Sequence, residues 1–150
     1  MNNTFVMKIA KNLILFLILA VFASCKSSES TTIPFEVANG YFYKNNQPNP
    51  AIPIVITSDS QLQEKFGFAT TMNSRPTQID FTKQAIIAIV LPPTENATDL
   101  KINKIESSEN TLLVKYHVAE KEKQSFTVQP ISMAIVDKSK LKSNIVATAE

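Results

Sequence analysis

Ala85 to Leu91 (AIIAIVL) is apolar at every position. A strand with one face in water alternates apolar and polar residues. A strand with no alternation is covered on both faces and is expected at the centre of a sheet. Pro92-Pro93 stops it, because proline has no N–H to give to a ladder. Asp80-Phe81 marks the entry to this strand. Phe81 is expected to be buried there, against Leu62 or Phe66 of a neighbouring helix.

That helix is read from Ser58 to Gly67 (SDSQLQEKFG). Ser58 and Gln61 have capping-box spacing, and Asp59 suits the positive end of the helix dipole. Leu62 and Phe66, four apart, form a narrow apolar stripe. Gly67 can end the helix with a positive φ. Just before it, Ile52, Ile54 and Ile56 alternate as one face of a strand, and Pro53 confines that strand to an edge. Asn45 to Pro50 (NNQPNP) is a loop, and 68–79 is expected to be irregular. In Phe35 to Lys44 (FEVANGYFYK), Asn39-Gly40 lies between two apolar-rich runs, a hairpin signal. In such a hairpin Val37 and Phe42 share one face and Tyr41 and Tyr43 the other. Tyr41 and Tyr43 are the candidate partner-binding residues. Exposed tyrosines stack on sugars or fill a partner's pocket, although a pair of them also simply covers the outside of a hairpin.

Downstream of the central strand, Pro92 to Asp99 is expected to be a loop. Leu100 to Ile105 (LKINKI) and Leu112 to Val118 (LLVKYHV) form an antiparallel pair around Ser107 to Asn110. Leu112, Val114, Tyr116 and Val118 share a face, with Lys115 and His117 opposite. Phe126 to Val136 is one long bent strand or two broken near Pro130, and the tail from Lys138 is open between helix and strand. Strands dominate around one helix. The expected class is α+β, mostly β: an antiparallel sheet or sandwich with one short packed helix.

The N-terminal residues carry a different signal. Lys8 and Lys11 precede the apolar run Leu13 to Ala23 (LILFLILAVFA), which is shorter than the roughly 20 residues that cross a bilayer. Its length is that of a signal-peptide core. Ala23-Ser24 then leads into Cys25, the only cysteine of the chain. This resembles the lipobox of bacterial lipoproteins, with Phe22 where leucine is more usual. The resemblance implies cleavage before Cys25 and lipidation of it. The organisation expected is therefore a signal at 1–24, a flexible tether with the lipidated cysteine at 25–34, and one β-rich domain at 35–150. The chain would be membrane-attached through the lipid on Cys25, in the cell envelope and at the outer membrane.

Charge and chemistry narrow the function. The chain has 15 Lys plus Arg against 13 Asp plus Glu, and loss of Lys8 and Lys11 with the signal makes them equal. A neutral domain gives no reason to expect nucleic acid, whose binding rests on clustered Lys and Arg. One histidine, His117, leaves no recognisable zinc spacing and no nucleophile-elbow motif. Two glycines leave no phosphate-cradling loop, and Asp59, Asp80, Asp99 and Asp137 lack calcium-loop spacing. No catalytic residues, metal or cofactor are expected.

Several stretches are similar to the PrcB family, named for a lipoprotein subunit of a bacterial surface protease complex. They are Val37-Ala38-Asn39-Gly40, the helix entry at Ser58 to Leu62, and above all Ile79 to Ile89 (IDFTKQAIIAI). The strand pair at 101–116 and Thr127-Val128-Gln129-Pro130 before Ala134-Ile135-Val136 also fit. The chain departs from the family at Thr94 to Leu100 (TENATDL), where a glycine-rich turn is usual. The resemblance implies a noncatalytic accessory lipoprotein with an envelope protein partner, a protease among the candidates. Two alternatives stand beside it: a protease inhibitor inserting the loops 45–50 and 92–99, and a glycan- or ligand-binding surface lipoprotein using Tyr41 and Tyr43.

Overall fold

A computed structural model of the chain describes residues 30–45, 47–48, 52–69 and 75–150. The signal at 1–24, Cys25 and residues 26–29 of the expected tether lie outside them, as do parts of the loop 45–50 and of the stretch 68–79. In chain order the elements are β1 (Thr31–Thr32), β2 (Glu36–Val37), β3 (Tyr41–Tyr43), β4 (Ile54–Ile56), α1 (Asp59–Lys65), β5 (Phe66–Phe68) and β6 (Gln84–Val90). There follow β7 (Thr94–Ser108), β8 (Thr111–Val128), β9 (Ile131–Asp137), a 3-10 turn (Lys138–Lys140) and β10 (Asn144–Ala149). They form one four-stranded sheet ordered β1-β7-β8-β10, a second ordered β2-β9-β6-β4, and a two-stranded ribbon of β3 and β5. All pairs are antiparallel except β10 with β8, which is parallel. The chain is thus mostly β with one packed α-helix among the described residues, as the sequence predicts.

Residues 84–137 form one long ribbon folded over on itself. β6 pairs with β9 from Gln84↔Asp137 to Val90↔Ile131. Leu91 N–H continues the ladder to Pro130 C=O at 3.0 Å. Pairing resumes between β7 and β8 at Thr94↔Val128 and ends at Ser108↔Thr111. The break falls where Pro92, Pro93 and Pro130 withhold N–H groups. Here the register also slips between Thr94 and Asn96, so that 124–127 bulge out of the ladder. Prolines and bulges of this kind turn corners between packed sheets. The turn at the far end is tight: Glu109 has a φ of 36°, and Asn110 follows.

Folding the ribbon over places β6 in the middle layer. Ala85, Ile87 and Ile89, with Ala134 and Val136, pack against Leu100, Ile102, Ile105, Leu112 and Val114 of the outer sheet. Ile86, Ala88 and Val90, with Met133 and Ile135, face the other way. They meet Ile56, Leu62 of α1, Phe66 and Tyr43. Residues 85–90 are all 0–1% exposed, as expected of the run with no alternation. β4, which follows Pro53, sits at the edge of its sheet. Phe81 is half-buried, packed on the cluster that holds Leu62 and Phe66.

Helix α1 is capped as its sequence suggests. Ser58 Oγ accepts from Gln61 N–H at 3.3 Å, and Gln61 Oε1 accepts from Thr57 N–H at 2.8 Å. The helix ends differently from expectation. Phe66 is already extended, with φ −122°, and Gly67 lies within β5. Gly67 serves its neighbour instead: a Cβ there would stand 2.2 Å from Phe42 Cζ, because the Phe42 ring lies across it.

Three further expectations are corrected. The Asn39-Gly40 turn does not close a hairpin. Glu36 and Val37 pair with Ile135 and Ala134, whereas Tyr41 to Tyr43 pair with Phe68 to Phe66. Gly40, at φ +83°, carries the chain from one sheet to another layer. Pro92 to Asp99 is not a loop, because β7 begins at Thr94. The tether does not reach Pro34: Thr31 and Thr32 pair with Ser107 and Glu106, and Ile33 is buried in the core between the sheets. Of the two readings of 126–136, the break near Pro130 holds: β8 runs to Val128 and β9 starts after Pro130. The tail resolves as the 3-10 turn, capped by Asp137 Oδ1 on Ser139 N–H at 2.8 Å, and the parallel strand β10.

Candidate functional site

The loss of the hairpin inverts the faces expected for its residues. Tyr43 is 5% exposed. Its hydroxyl donates to Pro48 C=O at 3.1 Å, and its ring meets Phe66 edge-on at 5.3 Å. Tyr41 is half-buried, with its hydroxyl donating to Thr77 C=O at 2.6 Å and its ring 5.8 Å from Phe68. Burial, and then the charge of Asp59, push the Tyr41 phenol up from its ordinary range. Tyr43 is turned into the core, whereas Tyr41 keeps part of its ring exposed with its hydroxyl engaged. Val37 and Phe42 are the exposed residues, at 53% and 48%.

A different feature emerges beside Tyr41. β1 covers β7 only at Ser107 and Glu106, with one more bond from Ile33 N–H to Ile105 C=O at 2.8 Å. From Lys104 back to Thr94, β7 has no strand on that side among the described residues. The alternation of an antiparallel ladder turns Leu100 and Ile102 backbone groups outward there. Ile102 N–H does point away from β8, donating to Ser132 Oγ of β9 at 3.1 Å. β2 is just as short and leaves β9 after Ala38 N–H bonds Met133 C=O at 2.9 Å. Between these two edges lies a groove of about 430 Å³. Its floor is Ile131, Ser132 and Met133, one wall is Asp99 to Asn103, and the other is Val37 to Tyr41.

Both walls are held. Asn39 N–H donates to Thr77 Oγ1 and Thr77 N–H to Asn39 C=O, each at 3.0 Å. A Cβ on Gly40 would stand 2.8 Å from Pro76 Cα, so the turn lies directly against that segment. On the strand side, Lys101 Nζ and Asp99 Oδ2 pair at 3.0 Å on the exposed rim. The hydrogen bond from Lys101 holds the Asp99 carboxyl below the usual carboxylate range, helped by the charges of Lys101, Lys121 and His117. A floor that mixes Ile131 with the Ser132 hydroxyl, a charged rim and a strand edge without a neighbouring strand suit an extended polypeptide segment. Its main chain would bond to the edge while alternate side chains enter the groove. The arrangement holds no nucleophile paired with a base.

His117 is exposed and faces outward with Lys115; its Nδ1 lies 3.1 Å from Glu150 C=O. Among the described residues no three His, Cys, Asp or Glu side chains come close enough to share a metal ion. Cys25 lies outside the described residues. Sequence reasoning missed the start of β7 because Thr94 to Asp99 has no apolar alternation. The β-branched Thr94 and Thr98 were the available sign of a strand. No family model matches the chain, and no curated protein or solved structure matches it either.

Proposed function

We propose that this chain is a lipid-anchored, noncatalytic module of the bacterial cell envelope that binds a protein partner by taking an extended segment of it along the free edge of β7. The observation that carries the binding mode is the groove walled by the stretch of β7 that has no neighbouring strand among the described residues, where Ile102 N–H is held only by the Ser132 hydroxyl. A long uncovered edge is an aggregation hazard unless something manages it. A charged rim and a dedicated partner strand both do so. The run Leu13 to Ala23 followed by Ala23-Ser24-Cys25 supports the anchor, with the outer membrane as the expected location. The resemblance to the PrcB family supports an envelope protease as the partner, docked or stabilised rather than cleaved. The loop-insertion reading has lost part of one of its two loops to β7, and the tyrosine-based glycan reading keeps only the half-buried Tyr41, because Tyr43 is buried.

Capture from envelope extract tests the proposal, using the domain from Lys26 onward and a variant with Lys101→Glu on the groove rim. A partner held by the wild type and lost by the variant is the expected result. No partner at any salt concentration would count against a protein-binding role. Equal capture by the variant would move the site away from the groove.

A further inference from the structure

Both sheets end in strand edges, and most of these are guarded. At β7 the rim carries the Lys101–Asp99 pair, and the register slips between Ile102 and Lys104. β4 is three residues long and follows Pro53. β2 has two residues, one of them Glu36. Charge, proline, bulges and shortness are the devices that keep an edge from pairing with another chain. β10 has none of them. It runs for six residues, Asn144–Ala149 (NIVATA), in unbroken register against β8, with no charged residue and no proline. It is the last strand of its sheet.

The outward groups of β10 follow from the bonds on its other side. Asn144 N–H donates to Asn110 C=O at 3.2 Å, and Glu150 N–H to Tyr116 C=O at 2.8 Å. The even-numbered residues thus turn their backbone groups to β8. Strand alternation turns those of Ile145 and Ala147 away from it. No strand meets them among the described residues. The side chains alternate as well. Ile145 and Ala147 pack toward the core between the sheets. Val146, 38% exposed, lies on the outer face beside Leu113 of β8. Asn144 and Thr148 flank it on that face. Lys142, exposed, precedes the strand, and Glu150 follows it, with its carboxylate 3.6 Å from Lys115 Nζ.

We propose that β10 pairs antiparallel with β10 of a second copy of this chain about a twofold axis at Val146, joining two four-stranded sheets into one of eight strands. The strand is self-complementary in that register. Ile145 stands opposite Ala147 of the second copy, and their outward N–H and C=O groups exchange bonds. Val146 meets Val146 of the second copy in the closer, non-hydrogen-bonded kind of pair. Leu113 on each side extends this contact into an apolar row across the seam. Asn144 falls opposite Thr148, and Lys142 opposite Glu150, so polar and then oppositely charged pairs surround the apolar centre. A twofold interface requires a patch that matches itself, and an apolar centre with a polar rim is the anatomy of a specific one. A centre at Ala147 instead would set Val146 opposite Thr148 and Glu150 opposite Asn144, which loses both matches. The β7 edges lie toward the two ends of the joined sheet, so both grooves stay open. The pairing depends neither on an occupant of the groove nor on lipid.

Disulfide trapping in the full-length protein tests the pairing and its register together. Cα atoms of a non-hydrogen-bonded pair lie about 4.5 Å apart, within the roughly 4.4–6.8 Å that a disulfide spans. Val146→Cys, oxidised in cells, should form a dimer whose joined peptides carry residue 146 twice. Wild type, with Cys25 alone, is the background. Asn144→Cys and Thr148→Cys each stand about 13 Å from their own counterparts in this register. They should join only when the two variants are expressed together. Val146→Lys and Val146→Glu each set like charges opposite one another. Each should raise the dissociation constant several-fold by light scattering, with far-UV circular dichroism unchanged. An equimolar mixture of the two should associate at least as well as wild type. A folded Val146→Cys that yields no 146–146 peptide would overturn the proposal. So would charge variants that dimerise like wild type and gain nothing on mixing. Thr148→Cys joined to itself would overturn the twofold at Val146.

Discussion

Ile33→Ala separates a domain that begins at β1 from one that begins after a passive tether. Ile33 is 6% exposed and belongs to the cluster of Ile87, Ile105 and Leu112. Truncating a buried isoleucine to alanine costs about 2–5 kcal/mol. The site lies at the rim of the sandwich, where neighbours can close in and water can reach the gap. A cost near the lower end, about 2–3 kcal/mol, follows. The backbone bond from Ile33 N–H to Ile105 C=O, at 2.8 Å, is untouched by the substitution. The side-chain loss is therefore isolated. The assay is urea unfolding of the domain from Lys26 onward. With a slope of about 1.5 kcal/mol per molar urea, the midpoint should fall by about 1.3–2 M. Val37→Ala, at a site 53% exposed, is the control and should stay within about 0.5 kcal/mol of wild type. If Ile33→Ala unfolds with the control, Ile33 is part of a tether and the β1–β7 pairing is not formed in solution.

Three further outcomes are expected. Gly40→Ala combines a φ of +83° with a Cβ 2.8 Å from Pro76 Cα, so it should cost at least about 1–2 kcal/mol of strain. A midpoint equal to wild type would show that the turn relaxes freely. Hydrogen bonds from Lys104 and Lys115 depress the Glu106 carboxyl. Its folded pKa lies below its unfolded one, so its contribution is present above the unfolded value and lost as pH falls through the folded value. Glu106→Gln should accordingly flatten the acid limb of a stability–pH curve, and an unchanged limb would assign no role to this triad. Cys25→Ser removes the thiol that accepts lipid, so wild type should incorporate palmitate label and the variant should not; equal labelling would refute the lipobox reading.

The architecture was legible where burial is two-sided or capping is local. The run 85–91 fixed the central strand because no position in it tolerates water. The Ser58–Gln61 cap placed α1 because both partners lie within one turn. What was misread depended on contacts distant in sequence. Asn39-Gly40 is a good turn pair, but Val37 finds Ala134 and Tyr41 finds Phe68. Local chemistry set the turn, and the partners of its flanks set the sheet. The same reversal exposed Val37 and Phe42 and buried Tyr43. Thr94 to Asp99 escaped notice because that part of β7 carries no apolar stripe. Thr31 to Ile33 looked like tether because two exposed threonines precede a single buried residue. The groove could not be read from sequence at all, since β2, β7 and β9 each contribute only a few residues to it.

Site-specific photo-crosslinking in cells tests the account most directly. A photoreactive side chain at Asn103, on the groove wall, is compared with one at Glu122, on the corner. Irradiation should give a discrete heavier species from position 103 in the membrane fraction. The Lys101→Glu substitution should abolish it, and position 122 should give none. An adduct from position 122 but none from position 103, or an adduct at 103 that survives Lys101→Glu, would contradict partner binding along the free edge of β7.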